Sequence, residues 1–390
     1  MNNIQIVASI AFWIAFFGVF ITYIGIPFIY LRIFAPWFSG PKTTKPVFEE
    51  NKLPSITVLV PAYNEEKYIG ARIENLLESD YPKNRLQILV ASDQSSDRTS
   101  EIVQSYAERG VELIDMPERS GKFGILDSLI PQAKHEIVII TDANVEFKKN
   151  AIRKLIQPYA DSRIGSACGV LKRIPPSTGK NVEGEGQFVG YETSIKVGLS
   201  KLGRVIGAFG GFYSIRKSLF RPLGKIPVHD DLVIPLEVRA QGYKVVMVPD
   251  AIATEETLAT INEEYHRRIR MAAYNFLSIP RVLRLGWKAG MLDFVLVICY
   301  KVLRWISPFL FLFAAISSLV LSDYCQFYQV SVKVIGSVLL IALVGGISDM
   351  LGKRFFIATS VYHFFIMNVA GIFGLFRAIK GVQRYWEARE

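Results

Sequence analysis

Ile137-Val138-Ile139-Ile140-Thr141-Asp142-Ala143-Asn144 is an apolar run that ends in a polar tip. Four branched residues in succession read as a short buried strand. Asp142 and Asn144 follow two residues apart, on one side of the chain. Two oxygens so placed suit a hard divalent cation, which keeps positions open for substrate phosphates. An Asp after a strand also serves in turns and helix caps, so the surrounding sequence has to decide.

Working outward, Ile56-Thr57-Val58-Leu59-Val60, Leu86-Gln87-Ile88-Leu89-Val90-Ala91 and Val111-Glu112-Leu113-Ile114 are further strand-like runs. Helical patterns over 66–79, 99–109 and 122–133 separate them. This alternation predicts an α/β fold with a mostly parallel sheet and covering helices. Ligands on such sheets bind at the carboxyl ends of the strands. Polar motifs stand at those ends. Pro61-Ala62-Tyr63-Asn64-Glu65 offers an amide and a carboxylate, able to hydrogen-bond a nucleobase or ribose or to cap the next helix. Ser92-Asp93-Gln94-Ser95-Ser96-Asp97 follows the second strand, with Asp97 also placed to cap the helix at Thr99. Ser120-Gly121-Lys122 opens a helix, where a cation and free N–H groups favour phosphate. Phe209-Gly210-Gly211-Phe212 lets backbone approach a ligand or makes a tight turn. His229-Asp230-Asp231-Leu232 supplies paired carboxylates.

The chain has 390 residues, 51% of them hydrophobic, and a mean hydropathy of +0.28. Ile4 to Leu31 holds no charged side chain and is long enough to cross a bilayer. Its start, Met1-Asn2-Asn3, lacks the basic residues of a cleaved signal peptide, and the run is too long for one. Residues 1–35 therefore read as a retained transmembrane helix and 36–53 as a Pro-, Lys- and Thr-rich linker. A catalytic domain over 54–261 follows, then amphipathic interface helices over 262–302. Further transmembrane helices occupy 303–378, before a tail over 379–390. The later apolar runs are Trp305–Leu321, Val334–Ile347 and Phe355–Phe376. The net charge of +10 lies largely beside apolar segments, at Arg32, Lys42, Arg267, Arg268, Arg270, Lys301 and Arg304 among others. That suits a cytoplasmic face against anionic lipid rather than nucleic acid. Four full spans would put the basic C-terminal tail outside, so the short, Gly-rich Val334 run is the candidate for a re-entrant segment. Three cysteines and four scattered histidines give neither a disulfide framework nor a zinc site.

In their order, these motifs resemble the membrane-bound family-two glycosyltransferases, the group of cellulose, chitin and hyaluronan synthases. The resemblance covers residues 54 to 270 by motif. It implies a GT-A-type nucleotide-sugar-binding sheet with transmembrane and interfacial helices. It assigns Pro61, Tyr63 and Glu65 to the nucleotide pocket, Asp93 to the base edge, and Lys122 to the family's Gly-Lys. Asp142 and Asn144 match the metal-binding Asp-x-Asp, with Asn in the last place. Gly210 and Gly211 fall in the acceptor subsite. Asp230-Asp231 replaces the family's Glu-Asp pair, which makes Asp231 the general base that takes the acceptor's proton; Asp230 beside it should raise one pKa of the pair. His229 is the lesser alternative base. Arg267-Arg268-Ile269-Arg270-Met271 stands for Gln-x-x-Arg-Trp. There Arg267 and Arg270 belong to donor binding, and Met271 replaces the Trp that stacks on an acceptor sugar.

The expected activity is inverting transfer of a sugar from a nucleotide diphosphate donor, a UDP-sugar first, to a glycan or lipid hydroxyl. The expected place is the inner membrane, with a cytoplasmic catalytic domain. The alternatives are a processive synthase that extrudes its product and, more remotely, a membrane-anchored nucleotidyltransferase. A transporter would leave the acidic loops without a task.

Overall fold

The computed structural model describes residues 2–25, 47–49, 52–174, 185–256, 261–351 and 355–382. Most of the expected linker and tail lies outside them. The chain divides into two compact units. One comprises Met1–Ile29, Thr260–Ile279 and Leu296–Val382; the other comprises Tyr30–Ala259, Pro280–Val295 and Gln383–Glu390. The expected interface segment 262–302 is thus shared between them.

The chain opens on α1 (Asn3–Phe20). The α/β unit then alternates β1 (Ile56–Ala62), α2 (Ile69–Leu77), β2 (Leu86–Ser92), α3 (Thr99–Gln104), β3 (Val111–Asp115), α4 (Gly121–Leu129) and β4 (Ile137–Ile140). It continues through β5 (Val145–Phe147), α5 (Ala151–Ile156), β6 (Ile164–Ile174), α6 (Glu185–Lys201), β7 (Tyr213–Arg216), α7 (Asp230–Ala240) and β8 (Lys244–Glu256). The eight strands form one sheet in the order β3-β2-β1-β4-β7-β6-β8-β5. The first four are parallel. β7 is antiparallel to β4 and β6, and β5 is antiparallel to β8. The sheet is therefore mixed, and the expectation of a mostly parallel sheet holds for its first half. Alternation exposes βα units, but it does not show that β7, reached through α6 and the Phe209–Phe212 turn, runs antiparallel to both of its neighbours.

β1 is buried at every residue, as a central strand between covering helices must be. α2 buries Ile69, Ile73 and Leu76, the spacing of one helical face. Each such side chain contributes on the order of 1.5–3 kcal/mol when fully buried. Arg72 sits in the same stripe and is only 2% exposed. Parallel register pairs Ala62 with Ser92 and Leu59 with Ile140. The carboxyl ends of β1, β2 and β4 thus share one edge of the sheet.

The helical unit holds α1, the first part of α8 (Ile261–Ala289), most of the helix that begins as α9 (Met291–Val297), α10 (Leu303–Val320), α11 (Gln326–Met350) and α12 (Phe356–Lys380). Asn2 and Gln5 close a reciprocal capping box at the start of α1. Among the described residues, four helical stretches are long and apolar enough to cross a membrane: Asn3–Gly25, Met291–Val320, Gln326–Met350 and Phe356–Lys380. α11 extends beyond the Val334 run at both ends. Its 25 residues span about 37 Å at 1.5 Å per residue, against a hydrocarbon core of about 30 Å. The shortness that marked this run as re-entrant is not a property of the helix. α11 and α12 meet closely at Gly345, where a Cβ would lie 2.0 Å from the Ala358 carbonyl oxygen. Small residues at apolar helix contacts permit that approach.

Candidate active site

The loops after β1 and β2 are stitched together. The Ser96 N–H donates to Asn64 Oδ1 at 2.8 Å, the Glu65 N–H to Thr99 Oγ1 at 2.8 Å, and the Glu66 N–H to Asp97 Oδ2 at 3.0 Å. Asp97 Oδ1 also accepts from the N–H of Thr99, the first residue of α3, at 2.9 Å. Asn64 braces the neighbouring loop rather than capping α2. Pro61 is buried near the end of β1, and Tyr63 and Glu65 are half-buried at the edge. The Arg119 guanidinium lies 3.7 Å over the Tyr63 ring, a cation that the motifs did not reveal. Asp93 is fully buried. Its Oδ1 accepts from the Ser120 N–H at 2.7 Å and its Oδ2 from the Gly121 N–H at 2.9 Å. The carboxylate expected at the base edge here fixes the start of α4, where Gly121 takes a φ of +68° that favours glycine.

The segment carrying Asp142 and Asn144 is held from three sides. Arg72 Nη2 donates to Thr141 Oγ1 at 2.9 Å, and its guanidinium stacks 3.9 Å over Phe147. Asn75 bonds both the N–H and the carbonyl of Phe147 at 2.8 Å. Asn144 Nδ2 donates to Glu255 Oε1 at 3.0 Å, while Glu255 Oε2 pairs with Arg173 at 3.1 Å. Burial pushes Arg72 down to about 9, opposed by Asp142 and Glu146, and it stays charged at neutral pH.

The Glu255 contact fixes the orientation of the Asn144 amide, because a carboxylate can only accept. Among the described residues Asn144 Oδ1 is left buried without a hydrogen-bond partner. An orphaned carbonyl two residues from Asp142 fits a hard cation. Among the described residues no group of three His, Cys, Asp or Glu side chains is disposed to hold a metal. Asp142 and Asn144 supply two oxygens, so phosphate and water would complete the shell.

Lys122 ties three elements of the site together. Its side chain is 10% exposed. Nζ donates to Asp142 Oδ1 at 2.9 Å and to the Gly210 carbonyl at 3.3 Å, and lies 3.4 Å from Asp230 Oδ2. Burial alone would push the ammonium down; Asp142, Asp230 and Asp231 together reverse that and raise it.

Asp230 and Asp231 open α7, where the helix dipole favours anions. Their environments differ. Asp230 is buried and accepts from Tyr213 Oη at 2.7 Å. Burial raises its pKa, Lys122 opposes, and Asp231 adds to the rise. Asp231 is half-exposed. The Phe209–Phe212 turn, closed by a 2.9 Å bond from the Phe212 N–H to the Phe209 carbonyl, passes beside both acidic centres. A Cβ on Gly210 would lie 3.5 Å from Asp231 Oδ2, and one on Gly211 3.6 Å from Asp142 Oδ2 but only 2.7 Å from Val145. Asp142, Asp231, Lys122 and the two glycines therefore form one constellation.

Arg267, Arg270 and Met271 lie on α8 in the helical unit. Arg267 and Arg268 both pair with Glu264. Close packing of α12 on this part of α8 leaves room for no side chain at Gly374, where a Cβ would meet Ala272 at 2.4 Å.

The sequence profile described as "Glycosyl transferase family 2" matches residues 57–224, the span from β1 to just beyond β7. Residues 57–224 thus carry a family 2 glycosyltransferase domain. The chain is 27% identical over 306 residues to "Probable glycosyltransferase YdaM" of Bacillus subtilis (strain 168), covering 74% of this chain and 71% of that one. It is 27% identical over 248 residues to "Beta-monoglucosyldiacylglycerol synthase" of Synechocystis sp., covering 61% of this chain and 50% of the relative, so the match spans about half that relative's length. The fold is similar to that of the mannosyltransferase PcManGT from Pyrobaculum calidifontis, solved with GDP-Man and Mn²⁺. The TM-score is 0.68 at 20% identity, over 95% of this chain and 99% of that one.

Proposed function

We propose that this glycosyltransferase moves a sugar from a nucleoside diphosphate donor, a UDP-sugar, to the hydroxyl of a lipid or growing glycan, with inversion at the anomeric carbon. The observation that carries the reading is the asymmetry of the acidic pair. Asp230 is buried under Tyr213 and Lys122, whereas Asp231 is half-exposed beside the Gly210 turn. A general base must reach the acceptor proton, and Asp231 is the one of the two with an open face. It accepts that proton as the acceptor oxygen attacks. Asp230 holds Tyr213 and Lys122 in place.

On the donor side, Tyr63 with Arg119 and the half-buried Glu65 offer a face and polar atoms to the nucleoside. Asp93 acts by setting the N-terminus of α4. Asp142 and Asn144 would hold Mg²⁺ or Mn²⁺, which when bound neutralises charge on the diphosphate leaving group. Arg267 and Arg270 remain proposed for donor binding on their sequence motif alone.

Four apolar helices and the printed name of the Synechocystis relative, a synthase of a glucosyl lipid, favour a lipid acceptor at a multi-pass inner-membrane enzyme whose catalytic unit is cytoplasmic. Met271 offers no flat face for a pyranose, which favours short glycans or a glycolipid over a long polymer. The test is transfer of radiolabelled sugar from UDP- and GDP-linked donors, with the product split into lipid-soluble and polymeric fractions. Label in neither fraction from any nucleotide sugar sinks the reading. A high-molecular-weight polymer made by the purified protein alone would favour the processive synthase instead.

A further inference from the structure

Lys122 makes its contacts with exactly the group that a divalent cation would need. Oδ1 of Asp142, the carboxylate proposed for the cation, accepts from Nζ at 2.9 Å. The same ammonium reaches the Gly210 carbonyl at 3.3 Å and Asp230 at 3.4 Å. An ammonium has three N–H donors, and three acceptors from β4, the glycine turn and α7 surround this one. While it stays there two of its donors are held by hydrogen bonds to Asp142 and Gly210, and its charge faces Asp230 as well. A second buried cation, Arg72, is bonded to the adjacent Thr141 and adds its charge to that of Lys122 in the neighbourhood of Asp142. Among the described residues nothing donates to Asn144 Oδ1, which is buried.

We infer that Lys122 is a resident counter-cation that keeps Asp142 from binding a divalent metal until a nucleoside diphosphate arrives. Metal alone must take Asp142 from Lys122 and then sit beside that ammonium and Arg72. A diphosphate brings negative oxygens to which Lys122 transfers, freeing Asp142 as the metal comes in. Metal and nucleotide then bind as a coupled pair, and linkage requires each to tighten the other by the same factor. The inference rests on the metal reading given above, and its test separates the two.

The probe is Mn²⁺, titrated into the full-length protein in detergent or nanodiscs and read by electron paramagnetic resonance of the free ion, with and without UDP or GDP. Wild type is expected to bind Mn²⁺ weakly alone and at least about tenfold more tightly with nucleotide. Lys122→Met is expected to bind Mn²⁺ alone at least about tenfold more tightly than wild type, with a smaller gain on adding nucleotide. Lys122→Gln, which keeps a donor but no charge, is expected to behave as Met does and serves if Met does not fold. Lys122→Arg, which keeps the charge, is expected to bind no more tightly than wild type. Tight Mn²⁺ binding by wild type with nucleotide, together with no gain in the Met or Gln variants, overturns this inference and leaves the metal reading standing. No Mn²⁺ binding by any of these proteins, even with nucleotide, overturns both.

Discussion

Asn144 occupies a place where an acid would be the stronger cation ligand, and its amide explains why an acid is not there. Nδ2 lies 3.0 Å from a Glu255 carboxylate that is itself only 7% exposed. Asn144→Asp would set two carboxylates against each other in a buried position. The variant is expected to lose about 2 kcal/mol of stability, seen as a melting temperature lower by roughly 4–8 °C. Glu255→Gln in the same chain should recover most of it by restoring a donor. A stable Asn144→Asp with unchanged melting would show that Glu255 does not hold the amide. At this scale the sequence was informative where a motif is local. Thr141-Asp142-Ala143-Asn144, Asp97 before Thr99, and the acidic start of α7 are read from neighbours in the chain. Arg72, Arg119 and Glu255 were not legible. Arg72 meets Thr141 across 69 positions and Asn144 meets Glu255 across 111, and no local pattern marks such partners. Asp93 was read for its type and not for its burial, which only the fold determines.

α7 shows how an element couples the site to distant structure. It begins at Asp230 and Asp231, and near its end Arg239 bonds Asp293 at 3.1 and 3.0 Å. Arg204 pairs with the same carboxylate, and Asp293 is fully buried. Arg281 ties Glu237 of α7 at 3.0 Å. Removing one partner of a buried ion pair leaves uncompensated charge, so Asp293→Asn is expected to cost about 3–5 kcal/mol. Thermal unfolding in detergent would register it, and an unchanged melt would contradict the role. Replacing Arg239 by Met together with Asp293 by Leu should cost less than the single change, because no charge is then left buried. The early strands were legible from apolar runs between helical patterns, while β6 and β8 were not. β6 is rich in small residues, and a Cβ on Gly169 would lie 2.2 Å from the Phe212 ring, so packing selects glycine against strand propensity. Pro249 and Asp250 interrupt the β8 pattern in the same way.

For the whole molecule, charge-free runs made the apolar helices legible, while their ends were not. α11 gains most of a helical third from Gln326 onward, residues whose polarity hides them from a hydropathy reading. The exposed side chains of Val334, Val338, Leu340 and Leu343 want a lipid environment. The protein is expected to stay in the membrane pellet through an alkaline carbonate wash; release into the supernatant would contradict spanning helices. The central claim, nucleotide-sugar transfer with Asp231 as base, has one direct measurement. Wild type and Asp231→Asn, purified in nanodiscs made from total lipid extract, are supplied with radiolabelled UDP-glucose and Mn²⁺, and both UDP affinity and label in product are recorded. The account predicts a loss of about 10²- to 10⁴-fold in transfer with UDP affinity within about threefold of wild type. Transfer by Asp231→Asn at the wild-type rate, or loss of turnover only because UDP no longer binds, would contradict it.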